Sequence, residues 1–208
     1  MRLLLLLLIG CLSLTANATG TSDTSTGVSD TIYTYYKGVL LQAAPDHSLL
    51  FFDGDRLIGG TQLPIKGNLT ALSANSETCC GVTDAGEIVR TGDGIHWTAF
   101  DFNAHYADYY PTCRFTCVCV TDDNQIAVAG VTATGAPAMF ISVQGNVWNE
   151  RPLVYTDPQG NLASLTELPE FLYYNIDRST FLLLCTHSKL MILPPCSHCN
   201  ELRDHISE

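Results

Sequence analysis

Thr91-Gly92-Asp93-Gly94-Ile95-His96-Trp97 and Ser142-Val143-Gln144-Gly145-Asn146-Val147-Trp148 carry a hydroxyl residue, a glycine and a tryptophan at the same spacing. Each stretch lies between two short apolar runs, which is the pattern of a tight turn closing a hairpin. The residue types suit that task. A short carboxylate or hydroxyl accepts hydrogen bonds from turn N–H groups, glycine takes a positive φ without steric cost, and tryptophan lays a large apolar face over the hairpin. Gln144 stands in the second copy where the first has Asp93.

With these turns as anchors, four segments align: VLLQAAPDHSLLFFDGDRL from Val39, TCCGVTDAGEIVRTGDGIHW from Thr78, QIAVAGVTATGAPAMFISVQGNVW from Gln125, and FLLLCTHSKLMILPPCSHCN from Phe181. Each reads as an apolar strand, a polar turn, a second strand, and a tight turn or its replacement. The second strands begin near Ser48, Gly86, Ala138 and Lys189, so the repeat is roughly 40 to 50 residues long. A further strand precedes three copies, from Asn68, Arg114 and Phe171, and HWTAFDF and VWNERPLVY supply a fourth strand to the second and third. The unit is then a four-stranded antiparallel meander, the strand count of a propeller blade. The expected fold is all-β, a propeller-like array of about four such blades, incomplete or open, with no clear outer strand in the first. Exposed edges are a liability, so closure is expected by residues 31–36 pairing into the last unit, by self-association, or by a partner chain.

Residues 91–97 resemble the Asp-box, or BNR repeat, whose core is Ser or Thr, any residue, Asp, Gly, and a Trp a few positions on; residues 142–148 resemble a second copy. The resemblance spans roughly residues 39–200. It implies a β-propeller of the sialidase-like group, which includes sialidases, sortilin-type receptors, a photosystem assembly factor and many exported bacterial proteins. It gives Thr91, Asp93, Gly94, Trp97, Ser142, Gly145 and Trp148 a structural role. Propellers of the group usually have more blades than the four units found here. Its sialidases clamp a substrate carboxylate with three converging arginines and use a Tyr nucleophile, a supporting Glu and an Asp acid/base. Arg56, Arg90, Arg114, Arg151 and Arg178 fall in no recognisable motif. A non-catalytic binding or scaffold module is therefore the leading expectation, and a sialidase-like glycoside hydrolase its alternative.

Arg2, the apolar run from Leu3 to Ile9 and the small-residue site Ala16-Asn17-Ala18 read as a signal peptide over residues 1–18. Leu8-Ile9-Gly10-Cys11 also matches a lipoprotein cleavage box, which would place a lipid anchor on Cys11. Either route leads to secretion or to the cell envelope or surface. The run is too short to span a bilayer, which takes about 20 apolar residues, and no later stretch is long and apolar enough. Residues 19–30, TGTSDTSTGVSD, read as a flexible leader, residues 31–202 as a single domain, and residues 203–208 as a tail.

Among the charged residues, removal of residues 1–18 takes away Arg2 alone, leaving nine Lys plus Arg against 21 Asp plus Glu. Such a surface repels nucleic acid and anionic membranes and leaves a protein or a glycan as the expected partner. Eight cysteines remain, Cys79, Cys80, Cys113, Cys117, Cys119, Cys185, Cys196 and Cys199. An even number in an exported chain points to disulfides. Cys196-x-x-Cys199 also has the spacing of a zinc half-site or a redox pair. His198, His205 or the group Cys113, Cys117 and Cys119, which share a strand parity, would complete a metal site. Alternatively, a Cys196–Cys199 bond staples the turn that an Asp-box closes elsewhere. No cofactor is expected, and Asn200 follows Cys199 where covalent haem attachment needs His, which rules out that motif. Cys79 and Cys80 are adjacent, so at most one is expected in the core. The candidate binding site is the loop FNAHYADYYPT, with His105, Tyr106, Asp108, Tyr109 and Tyr110; aromatic loop residues on a rigid scaffold serve recognition or fill a gap between blades.

Overall fold

Short apolar runs broken by Gly, Asp and Asn turns give 17 strands and one single-turn α-helix in the computed structural model, which describes residues 31–193. The signal segment with Cys11, the leader, Cys196, Cys199 and the tail lie outside the described residues. Blade one is β1 (Tyr33–Tyr36), β2 (Val39–Ala43), β3 (Ser48–Asp53) and β4 (Arg56–Gln62). Blade two is β5 (Leu69–Ala74), β6 (Cys79–Thr83), β7 (Glu87–Thr91) and β8 (Thr98–Asp101), followed by α1 (Phe102–His105). Blade three is β9 (Cys113–Val120), β10 (Gln125–Thr132), β11 (Pro137–Val143) and β12 (Asn149–Glu150). After a ribbon of β13 (Val154–Thr156) and β14 (Leu162–Ser164), blade four is β15 (Pro169–Asn175), β16 (Thr180–Cys185) and β17 (Lys189–Leu193). All pairings are antiparallel between neighbours in sequence. The blades therefore form an open array of meanders, the propeller-like fold expected from the repeat.

The innermost strands β1, β5, β9 and β15 run in the same direction, and each packs beside the next. Each blade thus has a leading face toward the blade before it and a trailing face toward the blade after it. Three cores fill the gaps. Tyr36, Leu41 and Leu49 meet Leu72, Cys79 and Val89 between blades one and two. Cys80, Val82 and Ile88 meet Phe115, Val128 and Phe140 between two and three. Cys117, Ala129 and Met139 meet Leu172, Leu183 and Met191 between three and four. Middle blades are covered on both faces, so β6 is buried at every position instead of alternating. Cys79 and Cys80 accordingly both lie in cores, one on each side of the blade, which corrects the expectation of at most one.

Bulges shape the inner strands. In β5, β9 and β15 an extra residue, Thr70, Thr116 or Glu170, falls between consecutive paired positions. Thr70 Oγ1 donates to the Phe115 carbonyl of the next blade at 2.9 Å, and Thr116 Oγ1 to that of Pro169 at 2.7 Å, so the same device ties two successive joints. A Cβ at Gly130, opposite the β9 bulge, would collide with the backbone of Arg114. The bulge also flips the strand face. Cys113 lies with Phe115 in the core between blades two and three, whereas Cys117 and Cys119 lie in the next one. The expected common face for these three cysteines is thereby overturned.

Other expectations also change. Blade one does have an outer strand, β4, whose Gly59-Gly60 pair and bulge at Ile58 conceal its alternation. Residues 33–36 pair with β2 of their own blade, not with the last unit. VWNERPLVY is not one strand: β12 ends where Arg151 N donates to Met139 O at 2.8 Å, because Pro152 has no N–H to continue the ladder. Beyond it the β13–β14 ribbon packs Leu153 and Leu165 into the last core. Lys189 holds that region through Glu167 at 2.9 Å and the Tyr155 ring at 4.0 Å. The matching second hairpins of blades one and four, β2–β3 and β16–β17, carry His47 and His187 at φ 66° and 59°, as repeat-turn residues should. No helix among the described residues is long and apolar enough to cross a membrane.

Candidate functional site

All four inner strands finish at one end of the array, and there they enclose a cavity of about 320 Å³. Tyr35 comes from β1, Asn75 and Ser76 from the end of β5, Asp122 from the end of β9, and Phe171 and Tyr173 from β15. The wall is braced across blades. Asn75 Oδ1 accepts from Glu77 N and Thr78 N at 2.8 and 2.7 Å, and its Nδ2 donates to Thr121 O and Asn124 Oδ1, both at 2.7 Å. Ser73 Oγ accepts from Val120 N at 3.0 Å. Among the described residues, Asp122 is the only carboxylate in the lining, and no arginine lines it. Such a surface can stack against a flat or apolar group and exchange hydrogen bonds.

A crevice of about 320 Å³ opens at the same end between blades two and three, lined by Arg90, His96, Asn124 and Gln144 among others. Beside it stands the first tryptophan turn. Thr91 Oγ1 accepts from Asp93 N and Gly94 N at 3.2 and 2.9 Å, and Asp93 Oδ1 accepts from Ile95 N and His96 N, both at 2.8 Å. Asp93 Oδ2 sits 2.7 Å from His96 Nδ1, and Trp97 Nε1 donates to Gly94 O at 3.3 Å. Gly94 supplies the required φ of 84°. The His96 side chain and the N–H groups of His96 and Ile95 hold the Asp93 carboxyl well below the usual carboxylate range.

The second turn is in the same place of blade three, with Gln144 and Gly145 at φ 68° and 73°. Ser142 is buried, and its Oγ donates to the Val143 carbonyl at 3.4 Å. Arg90 of blade two donates to Gln144 O and to Asn146 Oδ1, the latter at 2.8 Å. Trp97 and Trp148 both lie on leading faces, in the cores toward the preceding blade. Trp148 is 2 % exposed.

The aromatic loop predicted as a binding site follows β8, at the opposite end from where the inner strands finish. Tyr106 Oη accepts from Trp148 N at 2.9 Å, and Tyr110 stacks on Phe102 at 6.0 Å. His105 packs on Phe100 at 5.0 Å. Tyr106 and Tyr110 thus seal the gap between blades two and three, while Asp108 and Tyr109, the latter 78 % exposed, remain on the surface. The arginines lie on separate elements. Arg114 stands near the start of β9 and Arg178 beyond the end of β15, at opposite ends of the array. Asn68-Leu69-Thr70, which has the Asn-x-Thr pattern of a glycosylation acceptor, is engaged within the fold: Asn68 Nδ2 donates to Asp84 Oδ2 at 2.9 Å, and Thr70 bonds to blade three.

Cys79, Cys80, Cys113, Cys117, Cys119 and Cys185 are all free and buried, which corrects the disulfide expectation for these six. Burial pushes Cys80, Cys117 and Cys119 up to about 12, and Cys113 and Cys185 up to about 11. Such thiols stay protonated and pack as small apolar groups. Among the described residues no three His, Cys, Asp or Glu side chains are grouped to hold a metal. Sequence reasoning missed Arg90 as a clamp and Thr70 and Thr116 as blade ties, although Leu-Thr and Phe-Thr at aligned strand positions carried that signal.

No family model matches the chain, and no curated protein matches it in sequence. Solved structures do match its fold. The WD40 β-propeller domain of Doa1 is 10% identical with a TM-score of 0.51, over 78% of this chain and 48% of that one. The computationally designed Ika8 protein is 9% identical with a TM-score of 0.53, over 79% of this chain and 45% of that one. This chain thus spans about half the length of those two. The designed Ika4 protein is 10% identical with a TM-score of 0.52, over 86% of this chain and 100% of that one. What these likenesses establish is the β-propeller fold.

Proposed function

We propose that this chain is an exported, non-catalytic binding module of the Asp-box, sialidase-like propeller group, and that a protein segment or a glycan docks in its axial cavity. One observation carries the reading: all four blades send aromatic and hydrogen-bonding side chains to one cavity. Recognition sites are concave, with a few convergent polar groups on an apolar wall. A sialidase-type carboxylate clamp would need arginines where this cavity presents Asn75, Ser76 and Asp122. Membership of the Asp-box group is supported by the hydroxyl, Asp, Gly and Trp arrangement of residues 91–97. Export is supported by the charged, apolar and small-residue order of residues 1–18, and burial of six thiols is compatible with an oxidising compartment. The net charge of −11 disfavours nucleic acid as the partner.

The test is an affinity screen of the purified protein on glycan and peptide arrays, repeated with Ser76→Arg and Asp122→Arg. Both positions are exposed at the cavity mouth, in blades two and three. Each substitution is expected to weaken binding at least about tenfold, or 1.4 kcal/mol, with unchanged circular dichroism. Hits indifferent to both substitutions, or turnover of a fluorogenic sialoside, would sink the proposal.

A further inference from the structure

Among the described residues, the array ends on two sheet faces that no further blade covers. The trailing face of blade four carries Phe171, Tyr173, Leu182, Leu184, Leu190 and Ile192, brought to one side by the β15–β16–β17 register. Leu190 and Ile192 are 56% and 60% exposed. The leading face of blade one carries Tyr35, Leu40, Leu50, Phe52 and Leu57 in register, with Tyr35 and Leu57 58% and 56% exposed. Within the chain every trailing face of this kind meets the leading face of the next blade and buries it. Neither end face has such a partner in the cores among the described residues. Contiguous exposed apolar patches on a soluble protein mark interaction sites.

We propose that the occupant is a second copy of this chain, the trailing face of blade four in one copy packing on the leading face of blade one in the other. Three observations choose it. The two faces are of opposite kinds, so they complete the same joint the chain makes three times within itself. The named positions on both faces are uncharged, although the chain carries a net charge of −11, so two acidic copies can meet there with little repulsion. This chain also fills only about half of the propeller chains of Doa1 and Ika8, and a second copy supplies the other half. Applied twice about one two-fold axis along the cavity, the joint closes a ring of eight blades and leaves no end face. Heterologous contacts that close in this way give a finite assembly instead of a filament.

The experiment is light scattering or sedimentation of the purified protein over a range of concentrations. The expected mass is that of two copies. Leu190→Asp and Phe52→Asp, made separately, each place a charge in both joints and are expected to give single copies with unchanged circular dichroism. Mixing the two variants restores one unaltered joint, between blade four of the Phe52→Asp chain and blade one of the Leu190→Asp chain, so two-copy mass is expected to return. A single-copy mass for the unaltered protein overturns the inference, whether residues 194–208 or a different protein covers the faces. So does an open-ended series of larger masses. A two-copy mass retained by both variants, as like-with-like pairing of faces would give, overturns it as well. Ser76→Arg and Asp122→Arg lie away from both joints and leave the mass unchanged, so failure here is distinct from failure of the binding proposal.

Discussion

At residues 91–97 the tryptophan turn is closed from within, whereas at residues 142–148 the corresponding turn is held from outside. Thr91 and Asp93 take four N–H groups of their own turn, and Trp97 stays half-buried over it. Gln144 lacks the carboxylate, and the donors come from blade two: the Arg90 guanidinium on Gln144 O and Asn146. Tyr106 in turn accepts from Trp148 N. The comparison teaches that a turn which lacks its own capping group takes a different backbone path, with Gln144 as well as Gly145 at positive φ, and draws hydrogen bonds from the neighbouring blade. Its stability then depends on tertiary packing, and its tryptophan sinks into the core. Among the described residues Trp148 Nε1 has no hydrogen-bond partner there.

The largest effect should come from the indoles. Trp148→Ala is expected to cost about 3–5 kcal/mol, as for other large aromatic deletions from cores, and Trp97→Ala roughly 1–3 kcal/mol, in keeping with its partial burial. Urea unfolding of the two variants checks this. Equal losses would remove the distinction between a self-capped and a packed turn.

A middle-sized effect sharpens the same point. Arg90→Ala is expected to destabilise the protein by about 1 kcal/mol, the usual worth of such hydrogen bonds, and to act on the neighbouring blade. Amide exchange should quicken at residues 144–148 and stay unchanged at residues 93–97, which lie close after Arg90 in sequence. Local opening energies of this kind are resolved by hydrogen exchange. Faster exchange in its own turn instead would show that Arg90 serves blade two.

These contrasts also mark what the sequence could and could not disclose. Turn chemistry is local, so TGDGIHW and SVQGNVW announced two hairpins, and the apolar runs around them announced the blades. Strand parity is local only until a bulge intervenes. Thr116 separates Cys113 from Cys117 and Cys119, and the residue beside Gly59 hides β4, because an inserted residue leaves no mark in the period. The axial cavity was illegible for a different reason. Each blade gives it only a few residues, and what brings Tyr35, Ser76, Asp122 and Tyr173 together is the stacking of whole blades. The loop at His105–Tyr110 stood out by composition, yet its tyrosines 106 and 110 serve the joint between blades.

The smallest effect isolates the carboxylate itself. Because the folded turn holds Asp93 below the usual carboxylate range, its contribution is complete above the unfolded value of about 3.9 and is lost as pH falls through the lower folded value. Amide shifts of Gly94, Ile95 and His96 should therefore stay fixed through the ordinary carboxylate range and move only in stronger acid. The turn at residues 142–148 has Gln144 in place of that group and should show no such transition before the protein unfolds. Asp93→Asn should abolish the acid transition in the first turn while leaving the second untouched. A change at Gly94 to His96 near the normal aspartate value would mean that the N–H groups and His96 do not hold the carboxylate. The two turns would then differ only in how deeply each tryptophan is buried.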